Sequence, residues 1–415
     1  MRCLAFALVL AAAGCGPGPI VRHGRIDAAA LSSVEDGLER VRGLQFTAAV
    51  PGRVLDDAGV IRLLDGELDR EFLPGDLERL SAVYARLGLF PPDTTLRPLL
   101  QQLYADQVAA LYDPRTKTLA LTSSGLRERP ASVRLLELLT GRDLLDEVLV
   151  AHELTHALQD QHFGLPTTTP PITDAHGDRT IARRALIEGD ATLASVAYLR
   201  GGDLDQATLL GFLEEVAGIP EELATRHPDV PQIIRAGLAF QYDQGAVFAA
   251  VAYQRGGWPA VDDAHRDPPT SSEQVLHPEK YFGTRDVPIE VTLGGTEELE
   301  RNGWTRIVED TLGELDMRVL FRAVTAAGAP GVAAGWGGDR LRALQRRDQV
   351  AIVWLTAWDT EADAVEFADA MPQVASGASV ERRGDRVLVL LGTTDAALVK
   401  RVWRRSRCVR PSDAL

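Results

Sequence analysis

The sequence predicts an α+β fold that is mainly helical and closes with a small α+β domain. Three observations lead there. Apolar residues recur at helical spacing through most of the first two thirds of the chain. A Thr- and Leu-rich stretch, 110–122, interrupts them with two short strands about the turn opened by Asp113-Pro114. Beyond Pro288, β-rich segments alternate with helical ones, an order that lays helices on one face of a sheet. The 415 residues, 45% apolar and 25% charged, are an ordinary globular composition with room for two or three cores.

At the N-terminus, Arg2 precedes an apolar run over 4–13. A membrane-spanning helix needs about 20 such residues, so the shorter run reads as an export signal. Ala12-Ala13-Gly14-Cys15 resembles the lipobox of bacterial lipoproteins, with Ala12 where that family usually has leucine. The resemblance implies a signal peptide over 1–15, lipid on Cys15, a tether over 16–25 and attachment to a membrane of the cell envelope. Gly16 does not resemble the aspartate that retains lipoproteins at the inner membrane, so the outer membrane is expected. Cys3 leaves with the signal and Cys15 carries lipid, which strands Cys408 without an intramolecular disulfide partner.

The spacing then predicts helices over 31–44, 56–72, 77–87 and 99–110, punctuated by Pro51, Pro74 and Pro91-Pro92, and so a helical region over 26–110. A long helix over 143–163 has Leu144, Leu145, Val148, Leu149, Leu154 and Leu158 for a buried face and acidic residues in its first turn. A Pro- and Thr-rich loop, 164–177, leads to a helix over 180–199 that ends at Gly201-Gly202. Further helices are expected over 204–216, 220–240 and 242–255. In the C-terminal domain, 287–415, the pattern gives strands over 287–293, 349–358, 379–383 and 386–391, helices over 304–326, 360–371 and 394–406, and a Gly-rich loop at 335–338. That loop, Gly335-Trp336-Gly337-Gly338, lacks the Gly-Lys-Ser/Thr of a phosphate loop and reads as a tight turn beside a packed tryptophan.

A net charge of -15 argues against nucleic acid as a partner, since phosphate binding needs basic surface. The one dense basic run, 400–407, reads as a solvated helix face.

His152-Glu153-Leu154-Thr155-His156 carries the chemistry. Residues four apart share a helix face, so two imidazoles there can grip one metal ion, with the glutamate beside its open position. No Pro or Gly interrupts the surrounding helix. A catalytic zinc needs a third protein ligand and one position for water. The downstream candidates are His162, His176, Glu188 and Asp190. His162 lies six residues past His156, which turns it away from the metal face. His176 sits on the loop, and Glu188 lies among Leu186, Ile187 and Ala191, where a carboxylate needs a positive partner.

HExxH followed by Glu188-Gly189 and by Tyr242-x-x-Gly245 resembles the gluzincin metallopeptidases, most closely over 110–282. The resemblance implies a zincin-like catalytic domain over 111–286, one Zn²⁺ per chain held by His152, His156 and Glu188, and hydrolysis of a peptide or protein substrate. In it Glu153 is the general base towards a metal-activated water, and Tyr242, on a segment that opens a helix, steadies the oxyanion. Asp190 is the fallback ligand or orients a ligand histidine. Gln244 stands where the family usually has lysine. The strand over 118–122 takes the place of the family's edge strand, which pairs with extended peptides. Further on, His277 is a candidate substrate or oxyanion ligand, against a structural cap. The rival reading is an envelope lipoprotein that keeps a structural or recognition zinc fold without peptidase activity; Glu153 counts against it, because a structural site needs no general base.

Overall fold

A computed structural model describes residues 20–105, 109–122, 144–168, 170–322, 329–393 and 395–410. The signal, the lipobox and Cys15 lie outside the described residues, as do Leu144 and Leu145 as side chains. Among the described residues no helix is long and apolar enough to cross a membrane. The architecture is α+β, with long helices and several small sheets.

After a small hairpin, β1 (Val21–Arg22) and β2 (Arg25–Ile26), helix α1 (Ala28–Arg42) starts at Asp27, whose carboxylate caps the N–H groups of Ala29 and Ala30. Strand β3 (Gly52–Leu55) and helices α2 (Asp57–Glu71), α3 (Asp76–Arg86) and α4 (Leu96–Ala105) follow, then strands β4 (Ala110–Asp113) and β5 (Thr118–Thr122). The sheet order is β3-β5-β4, with β5 parallel to β3 and antiparallel to β4. This corrects the expected edge strand. Thr118–Thr122 is central, and Ala110–Asp113 is the edge.

The region expected over 26–110 is not a body of its own. Leu31, Val34 and Leu38 of α1 share one core with Tyr112, Leu119, Leu121, Val150, Leu154 and Leu158, while Val83 and Leu87 belong to the core of the C-terminal sheet. Burial of these faces, not the boundary near residue 110, decides where the segments go.

The central layer consists of α5 (Leu144–Phe163), α6 (Gly177–Leu199) and the 35-residue α9 (Gln232–Arg266), with α7 (Gln206–Val216) and α8 (Ile219–Arg226) between the last two. The expected helices 220–240 and 242–255 divide elsewhere. The break falls between Arg226 and Gln232, where Pro228 and Pro231 stand, and the chain then runs helically through Tyr242 to non-helical backbone at Gly256 and Gly257. Tyr242 is therefore inside a helix, not at its opening. Helices α6 and α9 touch backbone to backbone at Gly189 and Gly245: a Cβ on Gly189 would lie 2.0 Å from the Gly245 carbonyl oxygen, and one on Gly245 would lie 2.2 Å from that of Ala185. Any side chain there would force the helices apart.

The short helices α10 (Ser272–Leu276) and α11 (Glu279–Phe282) lead to β6 (Glu290–Thr292) and α12 (Glu297–Arg301). A five-stranded antiparallel sheet follows, built from β7 (Thr305–Asp310), β8 (Trp336–Arg346), β9 (Gln349–Trp358), β10 (Ser379–Arg383) and β11 (Arg386–Leu391) in the order β10-β11-β9-β8-β7. The segment 304–326 is thus not one helix. Its first half is strand β7, whose Ile307 and Val308 are buried and whose Glu309 binds Arg306, Arg340 and Arg342; among its described residues only Gly313–Phe321, α13, is helical. The Gly-rich loop shortens to a turn at Gly335, and strand β8 begins at Trp336, which is packed as expected.

Helices cover both faces of this sheet instead of the one expected. Ile352 and Trp354 point to α14 (Glu361–Val374), while Val353 and Leu355 point to α15 (Ala396–Arg405). The unbroken apolar run 350–355 is the signature of a strand buried on both sides. Strand β12 (Arg407–Val409) pairs with β6 and places the free thiol of Cys408 opposite Val291.

Candidate metal centre

Helix α5 brings His152 and His156 onto one face, and α6 crosses it with Glu188. His152 Nε2 lies 3.1 Å from Glu188 Oε2 and 3.1 Å from His156 Nε2, and His156 Nε2 lies 3.5 Å from Glu188 Oε2. These spacings test the fit of a metal. Ligand atoms about 2.0–2.1 Å from a tetrahedral Zn²⁺ stand about 3.3 Å apart, and two imidazoles with one carboxylate are the donor chemistry of catalytic zinc. The residues present fit.

The electrostatics ask for a cation. Burial raises the Glu188 carboxyl, but His156 and His152 outweigh it and hold the group well below the usual carboxylate range. Burial lowers the His156 imidazole, but Glu188 outweighs it and pushes the group up to about 10. One positive charge, a proton or a metal ion, is therefore favoured within the cluster.

Around the three donors, each neighbour has a distinct task. Glu153 Oε2 accepts the backbone N–H of Tyr112 at 2.7 Å, so the edge strand β4 is tied to the motif. Burial raises the Glu153 carboxyl, partly offset by His156, His152 and the Tyr112 N–H. Strand β4 is tied a second time: Tyr112 donates its hydroxyl to Asp160 at 2.7 Å, and Lys117 reaches the same carboxylate at 2.5 Å. Tyr242 lies across from the motif, its ring centroid 6.2 Å from that of His152.

Asp190 does not join the donors. Its carboxylate is taken by Arg42 at 2.9 and 3.2 Å, by His265 at 2.8 Å and by the Gln159 amide at 2.9 Å. His162 donates to the Gln45 carbonyl at 2.8 Å on the surface, as its rotation past His156 predicts. His176 precedes α6 and stays outside the group of converging donors. The structure places His277 apart from the converging donors. Its ring lies 3.2 Å from Glu314 Oε1 and 3.0 Å from Arg318 Nη2, both on α13, so it ties the loop after α10 to the C-terminal domain and has no contact with the donor cluster among those described. Glu314 is fully buried and needs such partners.

Sequence reasoning missed Gln159, Arg42 and His265. Gln159 had a signal, since it follows His156 by three residues and so shares its helix face. Arg42 had none, because it meets Asp190 from 148 positions away.

A domain of unknown function, DUF8575, matches residues 300–412, which are the five-stranded sheet and its flanking helices and exclude the metal centre. No curated protein and no solved structure matches the chain.

Proposed function

We propose that the protein is a zinc-dependent peptidase, exported and held at the cell envelope, with the outer membrane favoured, by lipid on Cys15. The observation that carries the reading is the convergence of His152, His156 and Glu188 at zinc-ligand spacing, with Glu153 alongside and tied to an edge strand. Among the described residues no fourth side chain joins the three donors, which supports a catalytic site over a structural one.

His152, His156 and Glu188 would hold the zinc, which would supply Lewis-acid activation of water near neutral pH. Glu153 is the general base. Burial raises its carboxyl, and the Tyr112 N–H holds Oε2 in place. The same carboxyl then delivers the proton to the leaving amine. Tyr242 steadies the negative charge that develops on the scissile carbonyl oxygen. Among the described residues strand β4 pairs with β5 on one side only, and its other edge aligns an extended peptide beside Glu153.

Zinc content and peptide hydrolysis of the mature protein and of Glu153→Gln test this. Both forms are expected to bind one zinc per chain, with hydrolysis lower in the variant by about 10²–10⁴-fold. A wild type without stoichiometric zinc would sink the site; zinc without hydrolysis in either form would favour the structural or recognition role.

A further inference from the structure

We infer that Gln159, Asp190 and Arg42 form a positioning chain that fixes the tautomer and orientation of His156, which makes the N-terminal helix α1 a working part of the metal centre. The inference rests on the zinc-site reading above and concerns how this chain prepares one ligand.

The argument starts from the amide of Gln159, whose side chain is fully buried. Its Nε2 donates to the Ile187 carbonyl at 3.0 Å and to Asp190 Oδ2 at 2.9 Å. Both partners accept: the Ile187 carbonyl carries no proton, and both Asp190 oxygens take N–H groups of the Arg42 guanidinium, at 2.9 and 3.2 Å. Flipping the amide would set an oxygen against two acceptors. Oε1 must therefore face His156 Nδ1, 2.9 Å away, and an amide oxygen at that point requires Nδ1 to carry the proton. In the neutral imidazole the lone pair then sits on Nε2, the atom that converges with His152 and Glu188.

Asp190 alone does not hold this arrangement, since a fully buried carboxylate needs its own counter-charge. Arg42 supplies it from the last turn of α1. Its guanidinium grips both Asp190 oxygens, reaches Asp262 Oδ1 at 2.6 Å and lies over the Trp258 ring at 4.7 Å, with its side chain fully buried. His265 closes the other side at 2.8 Å, with its ring stacked on Phe163 of α5 at 4.8 Å. The order of contacts runs from α1 through α6 to α5, and it ends on Nδ1 of His156, across the ring from the Nε2 that faces His152 and Glu188. An aspartate bonded directly to His156 would give the same tautomer with a negative charge next to the ring; the intervening neutral glutamine fixes the geometry while keeping that charge one link away.

The test measures zinc affinity by competition with a chromophoric chelator, together with the imidazole N–H signals of the zinc-loaded protein by NMR. Gln159→Leu keeps the volume and removes the acceptor. It is expected to weaken zinc binding by about 10–100-fold and to lose a slowly exchanging Nδ1–H signal present in the wild type. Arg42→Lys keeps the charge and loses the two-point grip, and is expected to weaken binding by a smaller factor, about 3–10-fold. Should Gln159→Leu fail to fold, Gln159→Met is measured in its place with the same expectation. A Gln159 variant that folds with wild-type affinity and an unchanged N–H signal overturns the positioning chain while the zinc site stands. A wild type that binds no zinc overturns both, and the two failures are thereby told apart.

Discussion

Among the described residues two sets of three metal-ligand-type side chains converge within 4.8 Å, His152, His156 and Glu188 in one place and Glu273, Asp286 and Asp359 in the other. They differ in how charge is settled. In the acidic set Lys280 lies among the carboxylates, 2.6 Å from Glu273, 3.1 Å from Asp286 and 3.4 Å from Asp359, so the cation is a side chain of the protein. Even so, burial pushes Glu273 up to about 7. At the His–His–Glu set, the recorded partners of Glu188 are the two imidazoles themselves, which offer lone pairs to a metal. Convergence of ligands is thus not enough to define a metal centre. Among the described residues no lysine or arginine stands within ion-pair distance of Glu188, in contrast to Lys280 in the acidic set.

The largest effect that sharpens this contrast is expected from His156→Ala, which should reduce bound zinc from one per chain to none. In the wild type, free zinc at about 100 times its dissociation constant should stabilise the fold by about 2.7 kcal/mol over the chelator-treated protein. Melting curves with and without zinc check both statements, and an equal zinc response in wild type and variant would dissolve the contrast.

Next comes Lys280→Met, which strips the acidic set of its cation. Breaking a buried pair costs about 3–5 kcal/mol, and the partial exposure of Lys280 places the expected loss near or below about 3 kcal/mol. The sign of the pH dependence follows from Glu273. Its carboxyl is raised in the fold, so the native state keeps a proton that the unfolded chain releases between 4.5 and about 7, and stability falls as pH rises through that window. Urea denaturation should therefore show a larger loss for Lys280→Met at pH 8 than at pH 5.5.

The smallest effect concerns a carboxyl with no tethered cation. Burial, then Asp310 and Asp339, push Asp316 up to about 8. Ionising it costs stability as pH rises from 3.8 towards about 8, and Asp316→Asn removes that cost. A melting temperature higher by about 1–3 °C at pH 8, with no gain at pH 4, is the expected result.

Much of the candidate site was legible because it is local. His152 and His156 share a helix face by spacing alone, and the apolar neighbours of Glu188 demanded a positive partner. Gly189 lies at the close crossing of α6, and its counterpart Gly245 acts from the middle of α9. Elsewhere local pattern misled. Thr305–Asp310 carries apolar residues compatible with a helix, yet β8 offers it a hydrogen-bonding edge and Arg340 and Arg342 offer Glu309 a charge partner. His277 looked chemical because it stands in a polar segment, and its partners on α13 lie 37 and 41 residues away.

By itself the sequence determined that His152 and His156 share one helix face with Glu153 adjacent, on an uninterrupted helix, and that a helix carrying Glu188 follows, because each depends on spacing within a few turns of one segment. Only the tertiary structure decided that Glu188 and not Asp190 completes the donor set, that Ala110–Asp113 and not Thr118–Thr122 forms the edge beside Glu153, and that Arg42 stands behind His156. Those outcomes are set by which buried polar groups find partners across distant parts of the chain, and a partner 148 residues away leaves no trace in local periodicity.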